Sequence, residues 1–249
     1  MITSFWLGVC GLHENLSPNH DELNPPSTTI IWRRDMKIGI IGAGFVGRAI
    51  AKLATEAGHT VMLSNSRGPQ TLFTQRYGIG TEVGTVEEAA AFGDIVVIAI
   101  PLAAYRTVPA TPLAGKVVLD ANNYYPDRDG RIAELDSNEA TTSELLARHL
   151  PASRIVKAFN AITMGDLEKD GRPAGSPGRR ALPLAGDDAE GKAIAAALYD
   201  AFGFDTVDAG GLSEGWRFER GTPAYCVAFD KAELARELAR APRIDQLAT

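Results

Sequence analysis

Gly42, Gly44 and Gly47 form a Gly-x-Gly-x-x-Gly spacing directly behind the apolar run Lys37-Ile38-Gly39-Ile40-Ile41. An alanine-rich helical pattern follows at once and predicts a helix over residues 43–57. In a strand–turn–helix unit each glycine has a task toward a dinucleotide. Gly42 permits the tight turn, Gly44 lets backbone approach a pyrophosphate, and Gly47 lets the helix lie close on the strand. The helix start adds unpaired N–H groups and a positive dipole end. Ala43, Phe45 and Val46 complete this candidate cofactor-binding turn.

The second predicted strand, Thr60 to Ser64, ends in Asn65-Ser66-Arg67-Gly68-Pro69. A site selective for NAD usually carries a carboxylate here to accept bonds from ribose hydroxyls. No acidic residue occurs between Glu56 and Glu82. Arg67 can instead grip a phosphate through two N–H bonds, and Asn65 and Ser66 add neutral donors. A solvated turn would also accept an arginine, but the missing carboxylate favours NADP(H).

Composition narrows the class. The chain has 249 residues, 45% hydrophobic and 22% charged, with a net charge of -6, as expected of a globular α/β protein. That acidic balance argues against nucleic acid, which needs a basic face. The two cysteines and four histidines are scattered, so neither a disulfide framework nor a metal site is expected. No apolar run approaches the roughly 18 residues of a membrane helix, and Phe5 to Cys10 makes a poor secretion signal, so a cytoplasmic location is expected. Residues 1–35, with Pro25-Pro26 and no periodicity, read as a disordered extension. The dinucleotide-binding domain is expected over 36–210 and a helical extension over 211–249.

Strand and helix signals then alternate, predicting a doubly wound, mainly parallel sheet with helices on both faces. Strands are expected at 81–83, 94–101, 117–121, 154–159, 182–186 and 204–207. Helices are expected at 69–77, at 85–92 behind the capping box Thr85-x-x-Glu88, at 142–149, and behind Asp187-x-x-Glu190. The tail from Thr222 to Arg240 reads as a helix in two parts, with Leu234 and Leu238 inward. The Gly-, Pro- and Arg-rich stretch 172–180 reads as a surface loop whose charge is solubilising.

Ligands of such sheets bind beyond the carboxyl ends of the strands. That rule selects Ile100-Pro101 and Ala121-Asn122 for the cofactor, beside the two loops above. Pro101 either marks the nicotinamide end or simply stops its strand. Asn122 either bonds a carboxamide or makes turn bonds to its own backbone. The same rule selects Asn160-Ala161-Ile162-Thr163-Met164 and Leu212-Ser213 for a second substrate. Lys157 and Asn160 resemble the catalytic pair of hydroxyacid dehydrogenases, but those enzymes need a large helical second domain, and none is expected in the stretch after the last expected strand. A Tyr-x-x-x-Lys dyad is absent, and no side chain stands out as a general acid or base. Hydride exchange with a flavin-like ring suits such a site, because the protein need only stack the rings and exclude water.

From Met36 to about Tyr225 the chain resembles the NADP oxidoreductase family dependent on coenzyme F-420, a deazaflavin. It also resembles the oxidoreductase domain of six-transmembrane metalloreductases. The matching pieces include Lys37 to Gly47, Ser64 to Gly68, Ile98 to Pro101, Val156 to Asn160, Ala185 to Asp188 and Val207 to Leu212. The resemblance implies that Ser66 and Arg67 hold the 2′-phosphate and that Asn160 to Met164 and Leu212-Ser213 face the deazaflavin. It also implies a homodimer. The family's deazaflavin reductases commonly carry His where this chain has Asn160, so FMN, FAD or a quinone stand beside F-420 as acceptors. A non-catalytic NADP(H) sensor, or an imine reductase of the pyrroline-carboxylate type, remain the alternatives.

Overall fold

The computed structural model describes residues 35–243; the expected N-terminal extension, apart from Asp35, lies outside them. Short apolar runs make the strands and small-residue amphipathic stretches make the helices. In chain order they are β1 (Lys37–Ile41), α1 (Phe45–Glu56), β2 (Thr60–Ser64), α2 (Phe73–Ile79), β3 (Glu82–Gly84), α3 (Val86–Phe92), β4 (Ile95–Ile98) and β5 (Val117–Asp120). Then follow α4 (Pro126–Asp129), α5 (Ala133–Asp136), α6 (Thr142–His149), β6 (Arg154–Lys157), α7 (Met164–Lys169), β7 (Ala181–Gly186), α8 (Ala189–Ala201), β8 (Asp205–Asp208) and α9 (Lys231–Arg240). Short 3-10 turns at Pro69–Leu72, Leu102–Thr107, Thr111–Leu113 and Leu212–Phe218 join several of them.

Among the described residues the strands form one sheet in the order β3-β2-β1-β4-β5-β6-β7-β8. Every neighbouring pair is parallel except β6 with β7. The fold is therefore the expected Rossmann-type, doubly wound α/β sheet. Strands β4 and β5 are buried at every position, as parallel strands covered on both faces must be. One apolar cluster joins Ile38, Ile40, Leu63 and Val97 to α1 and α8. Another joins Val96, Ile98 and Val118 to Leu145 and Leu146 of α6. A third, with Phe218, Leu234 and Leu238, holds α9 against β7 and β8.

The chain reverses its direction of travel across the sheet between β1 and β4, which opens a crevice above their carboxyl ends. Caps fix the neighbouring helices. Thr85 and Thr141 form complete capping boxes with Glu88 and Glu144.

Three sequence expectations need correction. The cap of α8 is Asp188, which accepts the Gly191 N–H at 2.8 Å, whereas Asp187 accepts the Leu212 N–H at 2.9 Å. The carboxylate one residue earlier is drawn away by the incoming 212 turn. The tail is helical only over Lys231–Arg240, because Pro223 and the positive φ of Cys226 (56°) break the preceding stretch into turns. The charge of 172–180 is structural rather than solubilising at its end. Arg179 and Arg180 are buried and paired, Arg179 with Asp200 and Asp205 at 2.8 Å, Arg180 with Asp170 at 2.7 Å and Asp166 at 3.2 Å.

Candidate functional site

A cleft of about 590 Å³ sits at the crevice, walled by Gly44, Phe45, Val46, Ile100 and Pro101 on one side and by Ala121, Asn122 and Tyr125 on the other. Its first wall is built by the glycines. Gly42 has φ +115°, and a Cβ there would collide with the Ala99 carbonyl; a Cβ on Gly47 would collide with the Gly42 carbonyl. Gly44 differs, because a Cβ there would meet nothing within 4 Å. Its open side leaves room for a ligand against bare backbone. Helix α1 starts at this point with no side-chain cap and no acid in its first turn. Its leading N–H groups have no intrahelical acceptor, so the wall is a ready anion site. Buried Gly42 and half-buried Ala43 serve the turn and do not line the cleft.

The Gly42 N–H donates to the Ser64 carbonyl at 3.0 Å, tying the glycine turn to the loop after β2. In that loop the Asn65 carbonyl oxygen Oδ1 accepts the Arg67 N–H at 3.0 Å, and Asn65 Nδ2 donates to Thr71 Oγ1 at 2.9 Å. The Asn65 amide thus shapes the turn. Ser66 and Arg67 are exposed at its tip. The Arg67 guanidinium makes no ion pair among the described residues, unlike Arg179 and Arg180.

The opposite wall is set by Asn122. Its Oδ1 accepts the Ile100 N–H at 2.9 Å, which joins the loops after β4 and β5 and fixes the amide's orientation. Its Nδ2 is buried and has no hydrogen-bond partner. A buried orphan donor is expensive, so Asn122 is poised for a carbonyl or hydroxyl that a ligand brings. Asn123 and Asn160 form a reciprocal pair, Nδ2 of Asn123 to the Asn160 carbonyl at 2.9 Å and Nδ2 of Asn160 to Asn123 Oδ1 at 3.2 Å.

Below this floor lies a buried charge cluster. Asp120 and Lys157 are partners across the β5–β6 ladder. The Lys157 ammonium donates to Thr142 Oγ1 at 2.6 Å and to the Asn122 carbonyl at 3.3 Å, and pairs with Glu219 at 3.2 Å. Ser143 donates to Asp120 at 2.5 Å, and Thr142 to Glu219 at 2.6 Å. Desolvation pushes the Asp120 carboxyl above its ordinary range, against the pull of Lys157 and the Ser143 bond. Lys157 is fully buried and does not line the cleft.

The residues expected against a second substrate scatter. Ala161, Ile162 and Leu212 are packed in the apolar clusters. Asn160 is buried, with Nδ2 also bonded to the Phe218 carbonyl at 3.0 Å. Ser213 is exposed, and Met164 lines a separate groove with Phe45, Arg48 and Lys52. The cleft wall that sequence reasoning missed carries Tyr125, Arg128 and Arg220. Tyr124-Tyr125-Pro126 directly after Asn122-Asn123 was a readable clue to a loop side chain there. The approach of Arg220 from the far end of the chain had no local signal.

Residues 37–124 match the family model described as NADP oxidoreductase, coenzyme F420-dependent. This segment is similar to that family. Its relatives include rat metalloreductase STEAP3, 30% identical over 182 residues, which make up 71% of this chain and 34% of that protein. The chain thus spans about a third of that relative's length. The crystal structure of a hypothetical protein from Sinorhizobium meliloti superposes with a TM-score of 0.68 at 27% identity, over 79% of this chain and 96% of that one. That of a proposed F420-dependent NADP-reductase from Arthrobacter sp. FB24 gives 0.62 at 28% identity, over 71% and 85%. The family glycine turn, the Ser66-Arg67 loop and Pro101 all fall within the matched segment. Among the described residues no helix is long and apolar enough to cross a membrane, and no group of His, Cys, Asp and Glu could hold a metal ion.

Proposed function

We propose that this chain is an NADP(H)-dependent oxidoreductase that exchanges hydride with a flavin or deazaflavin such as F-420, FMN or FAD. One observation carries the reading: the uncapped, acid-free start of α1 and Asn122, whose Nδ2 is buried without a hydrogen-bond partner, line the same cleft, with Gly44 leaving its backbone bare. The α1 N-terminus would take the pyrophosphate, and Ser66 with Arg67 would take the 2′-phosphate. Pro101, Ala121 and Asn122 would border the nicotinamide, with Asn122 Nδ2 donating to its carboxamide. Bound NADPH supplies a hydride.

The protein's own part is to bind, orient and exclude water. Ile100 and Pro101 give an apolar face on one side, and Tyr125 gives an aromatic one on which a flat ring can stack. The match of residues 37–124 to the F420-dependent NADP oxidoreductase family model and the resemblance to a proposed F420-dependent NADP-reductase support the deazaflavin end of this range. A difference-spectrum titration with NADPH, followed by an acceptor screen with F-420, FMN and FAD, tests it. Binding of NADPH with turnover of at least one ring acceptor is expected. Binding without turnover across the panel would favour a sensor instead.

A further inference from the structure

Asn122 is held by groups that do not themselves line the cleft. Asp120 Oδ1 accepts the Asn122 N–H at 3.0 Å, and Lys157 Nζ donates to the Asn122 carbonyl at 3.3 Å. A third tie runs through the side chain, whose Oδ1 accepts the Ile100 N–H at 2.9 Å. Nδ2 is left over, buried and without a partner.

The two holding groups are themselves fixed. The Lys157 ammonium also donates to Thr142 Oγ1 at 2.6 Å and lies 3.2 Å from Glu219 Oε1. Its stem runs against the 212 turn, where a Cβ on Gly215 would stand 2.8 Å from Lys157 Cδ. Thr142 donates its own hydrogen to Glu219 at 2.6 Å, and Ser143 donates to Asp120 Oδ2 at 2.5 Å. A buried charge cluster is often no more stabilising than apolar side chains of equal volume. What this one does add is a fixed place for the residue it grips.

We propose that Lys157 and Asp120 are positioning residues of the cofactor site, holding Asn122 by its carbonyl and its N–H so that Nδ2 meets the nicotinamide carboxamide. The proposal rests on the cofactor placement above. Lys157 touches neither cofactor nor acceptor and acts through Asn122. Through Glu219 it also anchors the neighbouring Arg220, which lines the cleft. With backbone and side chain tied, Asn122 has little conformational freedom left to lose when a carboxamide binds.

The test compares NADPH with adenosine 2′,5′-bisphosphate, which has the phosphorylated ribose but no nicotinamide, on the whole chain. Lys157→Met should weaken NADPH binding about three- to tenfold, the range of one neutral hydrogen bond. The bisphosphate should bind as it does to wild type. Lys157→Met alone strands two carboxylates, so Lys157→Met/Glu219→Gln is measured beside it. The double variant regains part of the stability but not the tie to Asn122, so NADPH should stay weakened. In an Asn122→Ala background, Lys157→Met should bring no further loss, because the residue it positions is gone.

Equal weakening of both ligands would mark a merely structural role and overturn the proposal. So would wild-type NADPH affinity in the double variant, or a full additional loss in the Asn122→Ala background. In each of those cases the cofactor placement survives, because wild type still binds both ligands. Wild-type protein that binds neither ligand sinks the placement and this proposal together.

Discussion

Lys157 Nζ lies 3.2 Å from Glu219 Oε1, so the end of the sixth strand is clamped to the segment that follows the 212 turn. Both side chains are nearly or fully buried, and the α6 start fills the space between them through Thr142. The clamp links the floor of the cleft, by way of the Asn122 carbonyl, to the C-terminal part of the chain.

Removing one partner of a buried pair strands the other. Lys157→Met should cost about 3–5 kcal/mol, read as a lower urea midpoint with unchanged slope. Glu219→Gln added to it should recover part of that loss, because one of the two abandoned carboxylates is gone. A single variant as stable as wild type would show that the cluster contributes nothing to stability.

Asp120 gives a pH dependence with a definite sign. Its carboxyl titrates higher folded than unfolded, so the folded state binds the extra proton. Its contribution to stability is fully present below the unfolded carboxylate range and is lost as pH rises through the folded value. Asp120→Asn cannot titrate there. The stability difference, wild type minus variant, should fall as pH rises from acid toward neutral. A difference that rises instead would contradict the burial argument.

Gly44 separates binding from folding. A side chain at this position meets open space, so Gly44→Asp should leave the melting temperature close to wild type. Its carboxylate would stand at the α1 N-terminus where the pyrophosphate is proposed to lie, and NADPH affinity should drop at least about tenfold, or 1.4 kcal/mol. Gly47→Ala should do the reverse of this separation, because its Cβ collides with backbone and stability itself falls. Equal NADPH affinity in Gly44→Asp would move the cofactor elsewhere.

Most of the sheet was legible because buried parallel strands write themselves as apolar runs, and Ile95 to Ile98 is the plainest case. The glycine turn was legible because its backbone demands are local. The second-substrate wall was not. Ala161, Ile162 and Leu212 follow strand ends, as ligand loops do, yet their apolar side chains turn into the core. Tyr125 meets Tyr225 and Arg220 only after the chain has crossed the sheet again, a contact between distant segments that no spacing announces. Arg179 and Arg180 misled for the opposite reason: a Gly- and Pro-rich context suggests solvent, while carboxylates from α7, α8 and β8 wait to pair them.

The central claim is that an unpaired guanidinium at the β2 end selects the phosphorylated nucleotide. The most direct measurement is the Kd of NADPH and of NADH for wild type and Arg67→Ala, by titration at one fixed ionic strength. Wild type should prefer NADPH. In Arg67→Ala, NADPH binding should weaken by about tenfold or more, from the loss of roughly 1.5–3 kcal/mol of charged hydrogen bonding, with NADH nearly unchanged. Equal weakening of both nucleotides, or of neither, would contradict the account.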